Sequence, residues 1–257
     1  MRAVLFDLDD TLVVEEPAAQ AAFDATAAHA ATLHPLDPRR LAQDARACAR
    51  ELWHAGPHHP AGERMAISSW EGLWCRFAGD DADMRALRAW APGYRAAAWD
   101  AALRRQRVDD ELLATDLGER FGAERRARHE LLPGAREMLD DLGVDHRLAV
   151  VTNGAPCLQR EKLAGCGLTG RFDAVVVSGD LGTRKPDPAV FRRALELIGA
   201  RPDEAVMVGD SPERDIAGAH ACGIRGILLS AREAVAGTPS AASLSEVSAL
   251  VRGAAAA

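Results

Sequence analysis

Ala3-Val4-Leu5-Phe6, an apolar run ending at Asp7, reads as a short buried strand, yet the next strand candidates begin only near residue 147. From about 15 to 130 the pattern is helical almost throughout, rich in Ala, Leu and Arg and poor in β-branched residues. Breaks at His34-Pro35, 56–62, Gly79-Asp80-Asp81 and Pro92-Gly93 divide it into helices near 17–33, 38–54, 65–77, 82–106 (interrupted at Pro92) and 109–128. After Leu132-Pro133-Gly134, strands at 147–152, 174–178, 205–209 and 226–229 alternate with helices at 134–142, 156–165, 188–199 and 213–221. Val-rich strands alternating with helices indicate a parallel sheet covered on both faces. The N-terminal strand joins that sheet only if the helical block is an insertion. The expected fold is therefore α/β, a doubly wound parallel sheet of Rossmann-like type formed by 1–14 and 131–230, with an inserted helical domain at 15–130. Residues 231–257 are expected to add a last helix at 243–252 and a frayed tail.

Composition narrows the function. With 31 Lys+Arg against 38 Asp+Glu, the net charge of −7 argues against nucleic-acid binding, which relies on excess basic residues. No apolar run approaches the roughly 20 residues that cross a bilayer, and Asp7, Asp9 and Asp10 interrupt the N-terminus where a secretory signal would be apolar. Five cysteines without a C-x-x-C pair fit reduced thiols. A cytoplasmic protein without nucleic-acid or membrane partners is expected. Only two of the 31 basic residues are lysines, Lys162 and Lys185, so a lysine is more readily explained by need than by codon usage.

Ligands of open parallel sheets bind at the carboxyl ends of the strands. Past those ends stand Asp7-Leu8-Asp9-Asp10-Thr11, then Thr152-Asn153-Gly154, then Lys185 within Thr183-Arg184-Lys185-Pro186-Asp187-Pro188, then Gly209-Asp210-Ser211 with Asp215 beyond. Each piece alone has an ordinary explanation as a turn or a helix cap. Together, and in this order, they gather the carboxylates of Asp7, Asp9, Asp210 and Asp215, the Thr152 hydroxyl and the Lys185 ammonium on one sheet edge.

On these residues the sequence resembles the haloacid dehalogenase-like hydrolase superfamily, over about 1–14 and 130–230, and the insertion point matches that family's helical cap of the first type. Val-Thr-Asn-Gly at 151–154, Phe172-Asp173-Ala174-Val175-Val176 and Val208-Gly209-Asp210-Ser211 look most like its N-acylneuraminate-9-phosphatase and nucleotide-phosphatase-like members. The resemblance implies a phosphomonoesterase with Asp7 as nucleophile, forming an aspartyl-phosphate, and Asp9 as general acid and base. It implies Thr152 and Asn153 on the phosphoryl oxygens and Lys185 neutralising charge. Mg²⁺ is implied on Asp7, the Asp9 carbonyl and Asp210, with Asp215 orienting a coordinated water, and Thr11 is implied to support the loop. The substrate expected is a small sugar, nucleotide or biosynthetic-intermediate phosphate, and the enzyme a monomer or homodimer. Asp9 separates this pattern from dehalogenases, which lack the second aspartate. A phosphomutase of the β-phosphoglucomutase type also carries it; that alternative would release little phosphate and need a bisphosphate activator. A non-catalytic relative binding a phosphorylated ligand is the other alternative, weakened by the intact motifs.

In the insertion, all five tryptophans (Trp53, Trp70, Trp74, Trp90, Trp99) and the single tyrosine, Tyr94, suit either ring stacking on a substrate or a small helical core. Trp70 and Trp74, four apart, favour the core. The segment 56–62, with His58 and His59, is expected as a loop reaching the active site, its adjacent histidines being poor joint metal ligands. Arg39, Arg40, Arg46 and Arg50 read more simply as a charged outer face than as an anion-binding set.

Overall fold

The computed structural model describes residues 2–231 and 234–253. The chain forms two compact units, one of Met1–Val14 with Glu130–Ala257 and the other of Glu15–His129. It opens with β1 (Ala3–Phe6), every residue fully buried. The inserted unit holds α1 (Glu16–Ala30), α2 (Pro38–Ala55), α3 (His59–Met65), α4 (Ser69–Gly72), α5 (Ala82–Arg105) and α6 (Glu111–Arg126). The chain then continues through α7 (Ala135–Leu142), β2 (Arg147–Thr152), α8 (Pro156–Gly165), β3 (Ala174–Val177), α9 (Ser178–Leu181) and α10 (Pro188–Ile198). It closes with β4 (Ala205–Gly209), α11 (Gly218–His220), β5 (Arg225–Leu229), β6 (Ser240–Ala241) and α12 (Leu244–Gly253).

Among the described residues the strands form one six-stranded sheet, ordered β3-β2-β1-β4-β5-β6 and parallel throughout. The N-terminal strand is thus central, paired with β2 on one side and β4 on the other. Alternation along β1 serves two cores, as the period-two geometry of a strand requires. Val4 and Phe6 pack with Met138, Leu139 and Leu142 of α7 and Leu244, Val247 and Val251 of α12. Ala3 and Leu5 pack on the other face with Val190, Phe191 and Ala194 of α10. The sheet is doubly wound, as the strand texture implies.

The C-terminal segment extends the core rather than trailing from it. Two-residue β6 escapes a pattern search, yet it pairs with β5, and Arg252 of α12 binds the carboxylates of Asp141 and Asp145. Gly253 closes α12; of the tail expected to fray, 254–257 lie outside the described residues.

The inserted unit departs from the sequence reading at three places. Pro92 does not interrupt α5, although proline inside a helix costs about 3 kcal/mol. Leu87, Ala91, Tyr94, Ala98 and Trp99 form a continuous buried face across it, and that burial outweighs the lost hydrogen bond. The single helix expected at 65–77 is instead the end of α3 and a short α4. Ala66 turns left-handed, and Ser68 with Glu71 forms a capping box that starts α4 afresh. Part of the loop expected at 56–62 is helical, since α3 begins at His59. His58 meets the edge of Trp90, whereas His59 faces the His54 ring, with Nε2 and Nδ1 3.3 Å apart.

The tryptophans are mainly core. Trp53, Trp74 and Trp99 are buried, Phe23 packs between Trp99 and Phe121, and Trp90 stacks on Tyr94 at 4.7 Å. The Tyr94 hydroxyl donates to the carbonyls of Ala49 and Ser69, joining α2 to α4. Arg46 is spent on Glu16 at 2.6 Å and stacks over the half-buried Trp70; Arg39 and Arg50 are exposed.

Candidate active site

The carboxyl ends of β1, β2 and β4, with the segment between α9 and α10 that carries Lys185, deliver the side chains singled out in the sequence, all within one compact unit. Asp7 follows β1 directly, and its amide continues the ladder by donating to the Val208 carbonyl at 2.9 Å. Its Oδ1 accepts from the Leu8 amide at 2.7 Å and lies 2.7 Å from Lys185 Nζ. Oδ2 has no hydrogen-bond partner among the described residues. Burial raises the Asp7 carboxyl from an ordinary 3.8 to about 8; nearby Asp215 adds to the rise and Lys185 opposes it.

Lys185 is 3% exposed and reaches Asp215 Oδ1 at 2.6 Å as well as Asp7. Burial alone would pull its ammonium down, but the two carboxylates outweigh that and hold it above its ordinary value. Asp215 is fully buried, and its second oxygen accepts from the Ser211 amide at 3.0 Å. It is brought there by a six-residue π-helical turn, Pro212–Ala217, where the amides of Asp215 and Ile216 both donate to the Ser211 carbonyl. Such wide turns recur at functional sites. Gly209 makes room for it: a Cβ on this residue would stand 2.4 Å from the Asp215 carboxyl carbon. The glycine of the fourth motif is thus required by close approach.

Asp7, Asp210 and Asp215 bring carboxylate oxygens within 4.8 Å of one another. Burial, then Asp215, pushes the Asp210 carboxyl up as well, and its Oδ1 is buried with no hydrogen-bond partner among the described residues. Three crowded carboxylates facing one ammonium, one of them with an orphaned buried oxygen, suit a hard divalent cation with oxygen ligands.

The second motif is arranged otherwise than a simple phosphate cradle. The Asn153 side chain binds the Lys185 main chain on both sides, accepting from its amide at 2.8 Å and donating to its carbonyl at 3.3 Å. It therefore fixes the backbone that carries Lys185. The Thr152 hydroxyl is 2.6 Å from Gln159 Nε2. Thr11 is fully buried in the turn after β1, where the Leu12 and Val13 amides both donate to the Leu8 carbonyl. Asp10 takes a left-handed φ of 54° there, tolerable for aspartate.

Asp9 holds the residues that motif reading passes over. Its Oδ1 is 2.8 Å from Lys162 Nζ and its Oδ2 is 2.8 Å from Gln159 Nε2. Both lysines of the chain are therefore buried against carboxylates of the same strand-end loop. The scarcity of lysine was a signal for Lys162 as much as for Lys185; Gln159, mid-helix, carried none.

A family model described as haloacid dehalogenase-like hydrolase matches residues 1–223. A phosphoserine phosphatase from Thermus thermophilus is 37% identical over 230 residues, 88% of each chain. An N-acylneuraminate-9-phosphatase from Rattus norvegicus is 33% identical over 133 residues, covering 51% of this chain and 54% of that one. Among solved structures, the HAD hydrolase YfnB from Bacillus subtilis superposes with a TM-score of 0.64 at 21% identity, covering 97% of this chain and 98% of that one. A 2-haloacid dehalogenase from Pseudomonas syringae superposes at 0.60 and 24%, covering 98% and 99%. At such identities these two likenesses are of fold alone.

Proposed function

The chain belongs to the haloacid dehalogenase-like hydrolase family and is a phosphatase, and from that premise we propose a Mg²⁺-dependent phosphomonoesterase working through an aspartyl-phosphate on Asp7. The observation that carries this reading is the gathering of Asp7, Asp210 and Asp215 around Lys185, with Asp7 Oδ2 left without a partner among the described residues. Oδ2 attacks phosphorus while the bond to the leaving oxygen breaks and Asp9 gives that oxygen its proton. A water then attacks the same phosphorus, Asp9 takes its proton, and the bond to Asp7 breaks, returning both carboxylates to their starting state. Asp7, Asp210 and the Asp9 carbonyl would hold Mg²⁺, with Asp215 orienting its water. Bound there, the ion offsets the repulsion between a carboxylate and a phosphate dianion. Lys185 neutralises the nucleophile and the spreading charge of the transition state. Thr152 and the Asn153 main-chain amide face the phosphoryl oxygens, with the Asn153 side chain keeping Lys185 in place.

Phosphoserine heads the substrates to test, because the Thermus relative that aligns along most of both chains bears that name. The test is phosphate release from a panel of phosphoserine, sugar phosphates and nucleotides, with and without Mg²⁺, against Asp7→Asn. Metal-dependent release absent from the variant supports the reading. Silence across the panel overturns it, and activity appearing only as isomerisation with a bisphosphate activator would replace it with a phosphomutase.

A further inference from the structure

Asp9 is gripped at both carboxylate oxygens by donors from a single helix. Lys162 and Gln159 stand three apart on α8, the spacing that puts two side chains on one helix face. Lys162 is 1% exposed and Gln159 fully buried. One Gln159 amide nitrogen serves both Asp9 Oδ2, at 2.8 Å, and the Thr152 hydroxyl, at 2.6 Å, so it couples the second motif to the first. Gly154 leaves room for that amide: a Cβ there would meet the Gln159 Cδ at 3.0 Å. A buried ammonium is costly unless paired, so a buried lysine beside a carboxylate reflects a requirement of the site rather than a surface ornament.

We propose that Lys162 and Gln159 are positioning residues that fix the Asp9 carboxyl group, each of its oxygens keeping a lone pair for its clamp donor, for proton delivery to the leaving oxygen. The inference rests on the phosphomonoesterase reading above. A carboxylate two residues beyond the nucleophile can swing about two side-chain torsions, and general acid catalysis needs it within hydrogen-bond reach of one particular atom. Two donors, one on each oxygen, remove that freedom. The clamp matters only where the leaving group needs a proton. An alkoxide leaving from phosphoserine needs one; the phenolate leaving from 4-nitrophenyl phosphate departs as a stable anion.

The test compares kcat/KM for these two esters in wild type, Lys162→Met, Gln159→Leu and Asp9→Asn, all with Mg²⁺. If phosphoserine is not turned over, the best alkyl phosphate of the panel takes its place. Because kcat/KM runs only to departure of the leaving group, later hydrolysis of the phosphoenzyme does not blur it. Lys162→Met is expected to lose about 10²-fold on the alkyl ester, within the usual range for general acid catalysis, and under about 5-fold on the nitrophenyl ester. Gln159→Leu shows the same selectivity at smaller size. Combining Lys162→Met with Asp9→Asn adds little to Asp9→Asn alone, as expected of groups acting as a unit. Equal losses on both esters, or none in either variant, overturn the clamp. Should Lys162→Met fail to fold, Gln159→Leu supplies the same comparison, and selective or unselective loss in it decides for or against the clamp. A wild type inactive on every ester overturns the phosphatase reading itself, which is a different result from an active wild type with unselective variants.

Discussion

Replacing Asp7 by asparagine should abolish turnover and yet make the metal-free protein more stable. Asp7 is buried beside Asp215 and Asp210, and its carboxyl is raised from 3.8 to about 8. A raised carboxyl means that the folded state holds its proton more tightly than the unfolded chain does. The resulting penalty is absent below about pH 4, grows as pH climbs, and is complete above about pH 8. At pH 7, keeping this group in the folded protein costs about 4 kcal/mol relative to the free chain. Asparagine is neutral and close to isosteric; its Oδ1 still accepts from the Leu8 amide and from Lys185, and Lys185 keeps its 2.6 Å contact with Asp215. Surrounding dipoles relieve part of the penalty in the wild type, so a gain of about 2 kcal/mol is expected. For a chain of this size that is a Tm rise of about 4–8 °C. The assay is thermal unfolding in chelator at pH 7 and again at pH 4.5, where the difference between the two proteins should shrink. With Mg²⁺ the wild type should gain more than the variant, narrowing the difference from the other side. A variant less stable than wild type in chelator at pH 7, or a difference that widens in acid, would refute the picture of crowded, metal-seeking carboxylates.

Gly209→Ala should leave the sheet intact while displacing Asp215, since the new methyl group would sit 2.4 Å from its carboxyl carbon; a loss of about 10²-fold in kcat is expected, read by steady-state kinetics on a protein with unchanged circular dichroism. Lys185→Met removes the cation between Asp7 and Asp215 and should cost both turnover and about 3–5 kcal/mol of stability in chelator, measured by denaturant unfolding, with Mg²⁺ restoring part of the stability. In the inserted unit Arg125, 1% exposed, pairs with buried Glu15 at 2.8 Å and lies over Trp74; Arg125→Ala should cost about 3–5 kcal/mol in the same assay, and a loss below about 1 kcal/mol would show that the pair is dispensable.

The core of the fold could be read from the sequence because its signals are local. Val-rich strands, each followed by a helix, imply a parallel sheet, and a lone strand before a helical block implies an insertion. What escaped depends on tertiary contact. Pro92 is carried through α5 by a buried face on both sides of it, and β6 is two residues long and meaningful only against β5. The break between α3 and α4 was in principle legible, for Ser68-x-x-Glu71 is a capping box in plain sequence. At the site, motif spacing names Asp7, Lys185, Asp210 and Asp215, which the fold brings together. It says nothing of the grip on Asp9, because Lys162 and Gln159 lie inside an ordinary helix and meet Asp9 only through tertiary contact. Nor does it foretell that the Asn153 side chain serves the Lys185 backbone.

The stereochemical course at phosphorus tests the central claim most directly. A phosphorothioate ester made chiral at phosphorus with two oxygen isotopes is hydrolysed in water of the third isotope in the presence of Mg²⁺, and the configuration of the released thiophosphate is determined. Transfer to Asp7 and then to water is two in-line displacements, so net retention is expected. Net inversion would mean that water attacks the substrate directly, and Asp7 would then not be the nucleophile.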